Sequence, residues 1–311
     1  MKEVPMPRSL RMVVPEESTA YHIISRTALD GLPFGDIEKE ALVEVIKKFS
    51  AIYFVDVLGF VAMGNHFHLL IMMHPETSAS GEDIRHRYGL LYGEKSRFPE
   101  GKMSHFRSKW CNLSEFIKEI KQTFSRYYNK RYDRKGTLWG ERFKSVILER
   151  GEAVVNCLSY IDLNPVRAGI VKRPEDYRWC SIGHHVQTGN RDGFLSLDFG
   201  FVDFGVLEAE ERFSRYREYM YHAGAIEKEG KANISRSILA DEVAHGFKVN
   251  RATLFRGRIR HFTESGVIGS RVFVEATCRR FKEQSPRRRA RIPREFEGIG
   301  GLFVLKRVSD S

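Results

Sequence analysis

Residues 19 to 25, Thr-Ala-Tyr-His-Ile-Ile-Ser, alternate as a half-buried strand does. The stretch 35–53 that follows places apolar residues at Ile37, Leu42, Val43, Val45, Ile46 and Phe49, the spacing of an amphipathic helix. From Tyr53 to Met73 the chain is rich in strand formers on both sides of Met63-Gly64-Asn65, and Gly-Asn is a turn dipeptide, so two buried strands in a hairpin are predicted. Residues 75 to 108 lose periodicity and read as a polar excursion from the core, a long connection of the kind that is usually functional or mobile. Leu113, Phe116, Ile117, Ile120, Phe124 and Tyr127 or Tyr128 then mark the apolar stripe of a basic helix, with Ser114 as its expected N-cap. A strand ending in Val146, Ile147 and Leu148 and a second helix stopping before Pro165 complete the pattern. The order β-α-β-β-α-β-α predicts an α+β fold, close to a ferredoxin-like antiparallel sheet with helices on one face.

Beyond residue 190 the composition changes. A Gly/Asp-rich stretch at 194–205 precedes charged helical sequence from Glu208 to His222, and near Ile234 a second unit begins. Its helix, short break at 248–250 and second helical stretch at 251–262 have the rhythm of a helix-turn-helix. The expected organisation is a first domain at 1–190 with the 75–108 insertion, a connecting segment at 191–232, and a mainly helical DNA-binding extension at 233–311. Its tail from Cys278 to Arg294 carries eight basic residues against one acidic, as a phosphate-binding arm or a solvated segment would.

Composition narrows the class. The 311 residues are 42% hydrophobic and 29% charged, which suits a globular protein. Apolar runs such as Leu69 to Met73 are far short of the roughly 18 residues of a membrane span, and the first residues lack a signal peptide's apolar core. Four cysteines form no C-x-x-C pair, so neither a thiolate zinc site nor a disulfide framework is expected, and a cytoplasmic, nucleoid-associated location is. A net charge of +11 favours a polyanionic partner, because counterion release drives binding to phosphate backbones.

Two short patterns carry candidate chemistry. In a strand His66 and His68 share one face and Phe67 takes the other, so two imidazoles make either a divalent-metal half-site or an ordinary hydrogen-bonded pair. In the sequence Tyr160-Ile161-Asp162-Leu163-Asn164-Pro165-Val166-Arg167-Ala168-Gly169, Tyr160 and Asn164 lie four apart on one helix face, off the stripe of Val154, Val155, Leu158 and Ile161. Tyr160 could instead pack by its ring, and Asn164 could simply end the helix.

Taken together, the His-Phe-His strand, the Tyr-x-x-x-Asn-Pro-Val-Arg-Ala-Gly helix and the run Gly136 to Ser145 resemble the HUH single-tyrosine endonucleases, most closely the REP-associated tyrosine transposases, from about Ala20 to Gly183. That resemblance implies a metal-dependent single-strand DNA endonuclease and strand-transferase acting on repeated palindromes that fold into hairpins. It implies that His66 and His68 ligate Mg²⁺ or Mn²⁺, that Asn164 supplies a third ligand, and that Tyr160 is the nucleophile, leaving a 5′-phosphotyrosine and a free 3′-OH. Tyr127, Tyr128 and Tyr132 are rival nucleophiles, as in relaxases and replication initiators of the same superfamily. Lys121, Arg126, Lys130, Arg131, Arg134, Lys135, Arg142 and Lys144 are expected to grip phosphates, with Tyr128 or Trp139 for base stacking, and Arg251, Arg256 and Arg258 to do so in the extension. A DNA-binding repressor without catalysis is the alternative from another class. The insertion at 75–108 and the long C-terminal extension depart from the minimal family pattern.

Overall fold

The computed structural model describes residues 12–249, 265–270, 275, 294–295 and 302–306. Strand β1 (Thr19–Arg26), helix α1 (Asp36–Ser50) and the hairpin of β2 (Val55–Ala62) and β3 (His66–Met73) form in the expected order. Helices α2 (Gly81–Tyr92), α3 (Met103–Trp110) and α4 (Leu113–Arg131) follow, then β4 (Lys144–Leu148) and α5 (Glu152–Arg167). The four strands make one antiparallel sheet in the order β2-β3-β1-β4, so the histidine strand lies inside the sheet. The molecule is an α+β protein.

Register fixes which residues share a face. His22 pairs with Leu70, Ile24 with His68 and Arg26 with His66, and residues opposite each other in neighbouring strands point the same way. Phe67, Leu69 and Ile71 therefore face the other way, towards α1 and α4, where the Phe67 ring meets Trp139 and Phe34 meets Phe124. Each fully buried Phe, Leu or Ile on that face contributes about 1.5–3 kcal/mol. Helices were expected on one face alone, but α5 covers the histidine face. It comes so close that a Cβ on Gly59 would lie 2.1 Å from Leu158 Cδ1 and 2.9 Å from Ser181 Oγ.

Three local expectations are corrected. The 75–108 excursion is helical: Ser80 caps α2 by accepting from the Asp83 N–H, and Arg85 forms a fork of two 2.8 Å bonds to Glu100. Ile84, Tyr88 and Leu91 form its apolar stripe, and Phe106 packs on Tyr88 and Trp110. The N-cap of α4 is Asn112, whose Oδ1 accepts from the Ser114 and Glu115 N–H groups. Helix α5 runs through Pro165 to Arg167, because a proline near the last turn removes one hydrogen bond while Ala168 N–H still donates to Asn164 and Gly169 N–H to Val166.

Helix α6 (Ser181–Thr188) lies against β2, α7 (Ala209–Ala225) packs on α5, and α8 (Arg236–Ala244) packs on α7. Arg217 of α7 is fully buried and bonds to Glu175, to Glu242 of α8 (2.9 Å) and to the Phe247 carbonyl. The same Glu242, with Asp241, holds Arg173. The extension is not mainly helical among its described residues: besides α8 it holds β5 (Ser265–Ser270), β6 (Arg294–Glu295) and β7 (Leu302–Lys306), an antiparallel sheet in the order β5-β7-β6. The second helix expected at 251–262, with Arg251, Arg256 and Arg258, lies outside the described residues, as does most of the basic tail.

Candidate active site

The hairpin turn sets the first half of the site. The Met63 N–H donates to the His66 carbonyl, and the Asn65 amide is pinned by donating its Nδ2 to the Gly31 carbonyl. Its Oδ1 then sits 2.7 Å from His66 Nδ1 and can only accept, so Nδ1 carries the proton and Nε2 is left with its lone pair. His68, one pleat further along, is buried, and its Nδ1 lies 2.9 Å from His22 Nε2 on the neighbouring strand. The His22 and His68 rings lie nearly parallel, edge to edge along this hydrogen bond, with centroids 5.2 Å apart and planes 14° from parallel.

Helix α5 supplies the second half. Close packing over Gly59 brings Tyr160 down on the histidines, its ring edge-on to His68 at 5.5 Å and to His22 at 6.0 Å. Tyr160 nevertheless remains 52% exposed, open to a large partner. Asn164, one turn on, donates Nδ2 to the Tyr160 carbonyl over 2.8 Å. Asp162, on the buried side of this helix, holds it from beneath by accepting from Ser181 Oγ, Ile182 N–H and Tyr216 OH.

Desolvation pushes the imidazolium forms far down, to about 4 for His22 and His66 and about 3 for His68, aided at His66 and His68 by the nearby Arg26 cation. All three rings are neutral at pH 7, the state in which imidazole can ligate. Two neutral imidazoles tethered through Nδ1 are nitrogen donors of the kind a borderline divalent ion takes. Among the described residues no group of three or more His, Cys, Asp or Glu is placed to hold a metal, so any ion here would rest on His66, His68, the amide of Asn164 and water.

The sequence-selected cations divide among different places. Lys121, Arg126 and Arg142 line a cleft of about 760 Å³ between α4 and the 137–143 segment, with Trp139 in its wall. Trp139 packs on Phe67, so this cleft lies across the sheet from the histidines. Lys144 pairs with Ile24 on the open strand β4 and stands on the histidine face. Lys130 and Lys135 are exposed, Arg134 bonds to Asn129, and Arg131 is ion-paired to the buried Glu38 at 3.0 Å. The rival tyrosines sit on or just after α4, over the opposite face: Tyr128 is packed against Phe34, and Tyr132 donates to Glu38. Sequence reasoning missed His22 and Arg26. His22 is visible in the sequence as a polar residue between Tyr21 and Ile23, but the register that pairs its strand with that of His66 is not.

No protein-family model matches the chain, and no curated protein matches it. Among solved structures, one of a REP-associated tyrosine transposase bound to a REP hairpin aligns with a TM-score of 0.40 and 16% identity, covering 61% of this chain and 90% of that one. No helix among the described residues is long and apolar enough to cross a membrane.

Proposed function

We propose that the chain is a tyrosine-dependent DNA strand transferase that cleaves single-stranded or hairpin DNA in the presence of Mg²⁺ or Mn²⁺. The observation that carries this reading is the edge-on contact of Tyr160 with His68 and His22, 5.5 and 6.0 Å between ring centres, which unites two motifs some ninety residues apart. The antiparallel strand order β2-β3-β1-β4 supports the ferredoxin-like core that the resemblance implies.

In the proposed step the Tyr160 oxygen forms a bond to phosphorus as the bond to the 3′ oxygen breaks. The phenol proton leaves to water at this half-exposed position, and the departing 3′ oxygen takes one up. A divalent ion bound to the two imidazoles would neutralise charge developing on the phosphoryl oxygens. His66 and His68 provide neutral nitrogen donors, so they leave that charge undiminished. Lys144 and Arg26, at the edge of the same face, would draw the backbone across it, and the cleft across the sheet, with Lys121, Arg126 and Arg142, would hold a second stretch. Because the phosphotyrosine ester conserves the broken bond, attack by another 3′-OH reverses the step and joins strands.

The test is incubation with single-stranded oligonucleotides containing an inverted repeat and Mn²⁺, scored for a covalent protein-DNA adduct by denaturing electrophoresis and mass spectrometry. Tyr160→Phe should abolish the adduct and retain DNA binding. An adduct that persists in Tyr160→Phe and disappears in Tyr127→Phe or Tyr128→Phe would move the nucleophile to α4.

A further inference from the structure

We infer that His22 is a positioning residue that sets the tautomer of His68, accepting a hydrogen bond from His68 Nδ1–H and leaving Nε2 of His68 as the electron-pair donor. The inference rests on the metal-dependent reading of the site proposed above, and nothing in the HUH resemblance assigned His22 a role.

Three features of the geometry support it. First, His22 Nε2 and His68 Nδ1 are 2.9 Å apart and buried, so one must donate and the other accept; a buried imidazole pair at this distance cannot leave both protonated or both bare without losing the bond. Second, the neighbouring ligand is fixed in the same sense. Asn65, with its amide anchored on the Gly31 carbonyl, accepts from His66 Nδ1 and leaves Nε2 of His66 bare. With His22 as the acceptor, both rings of the pair present the same nitrogen, whereas with His22 as the donor His68 would carry its proton on Nε2 and only His66 could ligate. Third, His22 is held in place by its own surroundings. Its ring lies nearly parallel to that of His68, edge to edge along their hydrogen bond, Tyr160 meets it edge-on, and its strand is paired on both sides, with Leu70 and Val146 as its direct partners. An acceptor held this firmly orients the ring it bonds, which is the usual work of the group behind a metal-ligating histidine.

The arrangement gives His22 a second consequence. Its ring is the floor on which part of Tyr160 rests, so one residue orients both the proposed ligand and the proposed nucleophile.

The test uses full-length protein labelled with ¹⁵N in histidine, free of metal at pH 7.5, in three forms: wild type, His22→Phe and His22→Gln. Phe keeps an aromatic ring without an acceptor, and Gln keeps an acceptor without the ring. In wild type the His68 ring should show a protonated Nδ1 and a bare Nε2. In His22→Phe that tautomer should be lost, and Mn²⁺ affinity measured by calorimetry should fall roughly ten- to a hundredfold, with His22→Gln recovering most of both. If wild-type His68 is protonated on Nε2, or if His22→Phe leaves its tautomer unchanged, the assignment is overturned. If the His68 tautomer responds as expected but wild-type protein binds no Mn²⁺, the orientation by His22 stands and the metal-dependent function fails.

Discussion

Tyr216 donates its hydroxyl to Asp162 Oδ2 over 2.6 Å, with both side chains fully buried. Asp162 lies two residues beyond Tyr160 on α5, and Tyr216 belongs to α7, so the helix carrying the proposed nucleophile is fastened to a helix from beyond residue 190. Arg167 at the end of α5 adds to this by donating to the Ala223, Ile226 and Ala232 carbonyls. Tyr216→Phe leaves one carboxylate oxygen unsatisfied and should cost about 1–3 kcal/mol, read as a lower urea midpoint with an unchanged slope.

The Asp162 carboxyl is raised from 3.8 to about 6 by burial, against the lowering effect of its three donors. Between those values the folded state binds more protons than the unfolded one, so this group's contribution is fully present below pH 4 and is lost as pH rises through about 6, some 3 kcal/mol in order of magnitude. Asp162→Asn removes that opposing slope. Urea midpoints at pH 4.5 and 7.5 should therefore differ more in Asp162→Asn than in wild type.

The histidines act in the other direction. Burial holds His22 and His66 down to about 4 and His68 to about 3, so the unfolded chain takes up protons first as pH falls below the ordinary 6.5. Their contribution is present above about pH 6.5 and disappears on acidification towards pH 4. His66→Gln should make the loss of stability between pH 6.5 and 4 shallower, and an equal acid sensitivity in that variant would show that the imidazoles are not buried as described.

The network of Arg217, Glu175, Glu242 and Arg173 crosses the boundary near residue 233 that composition suggested. A chain ended at residue 232 leaves Arg217 with Glu175 as its remaining carboxylate and Arg173 without Asp241 or Glu242. Removing partners from a buried ion pair costs about 3–5 kcal/mol. The truncated protein should unfold at clearly lower urea than one ended at residue 249, which keeps the network whole.

Among the basic residues, Arg126 and Arg142 line the cleft, while Arg131 is held by Glu38. Replacing Arg126 or Arg142 by Ala should reduce the slope of log affinity for single-stranded DNA against log salt by roughly 0.7 each. Arg131→Ala should leave the slope nearly unchanged and lower thermal stability instead. Fluorescence anisotropy across a salt series separates the two outcomes.

Local pattern was enough to find most elements of the core, because strands and helices that bury one face must repeat at their own period. The hairpin around Gly64-Asn65, the shared face of His66 and His68, and the spacing of Tyr160 and Asn164 all follow from pitch and pleat. The helical 75–108 insertion escaped because its apolar residues, Ile84, Tyr88 and Leu91 among them, are outnumbered by charged and other polar ones, and the α5 end was misplaced because proline near a last turn removes too little to stop it. The strands of the extension escaped too, since a basic, helix-like rhythm does not reveal distant pairing. Which face α5 would cover, and so whether Tyr160 meets the histidines at all, depended on the close approach over Gly59. His22 shows the same limit: its chemistry is local, but its role exists only through a partner forty-six residues away, set by strand register. Periodicity along the chain fixes each element's own faces, whereas contacts between elements are chosen by packing energies summed over the whole fold.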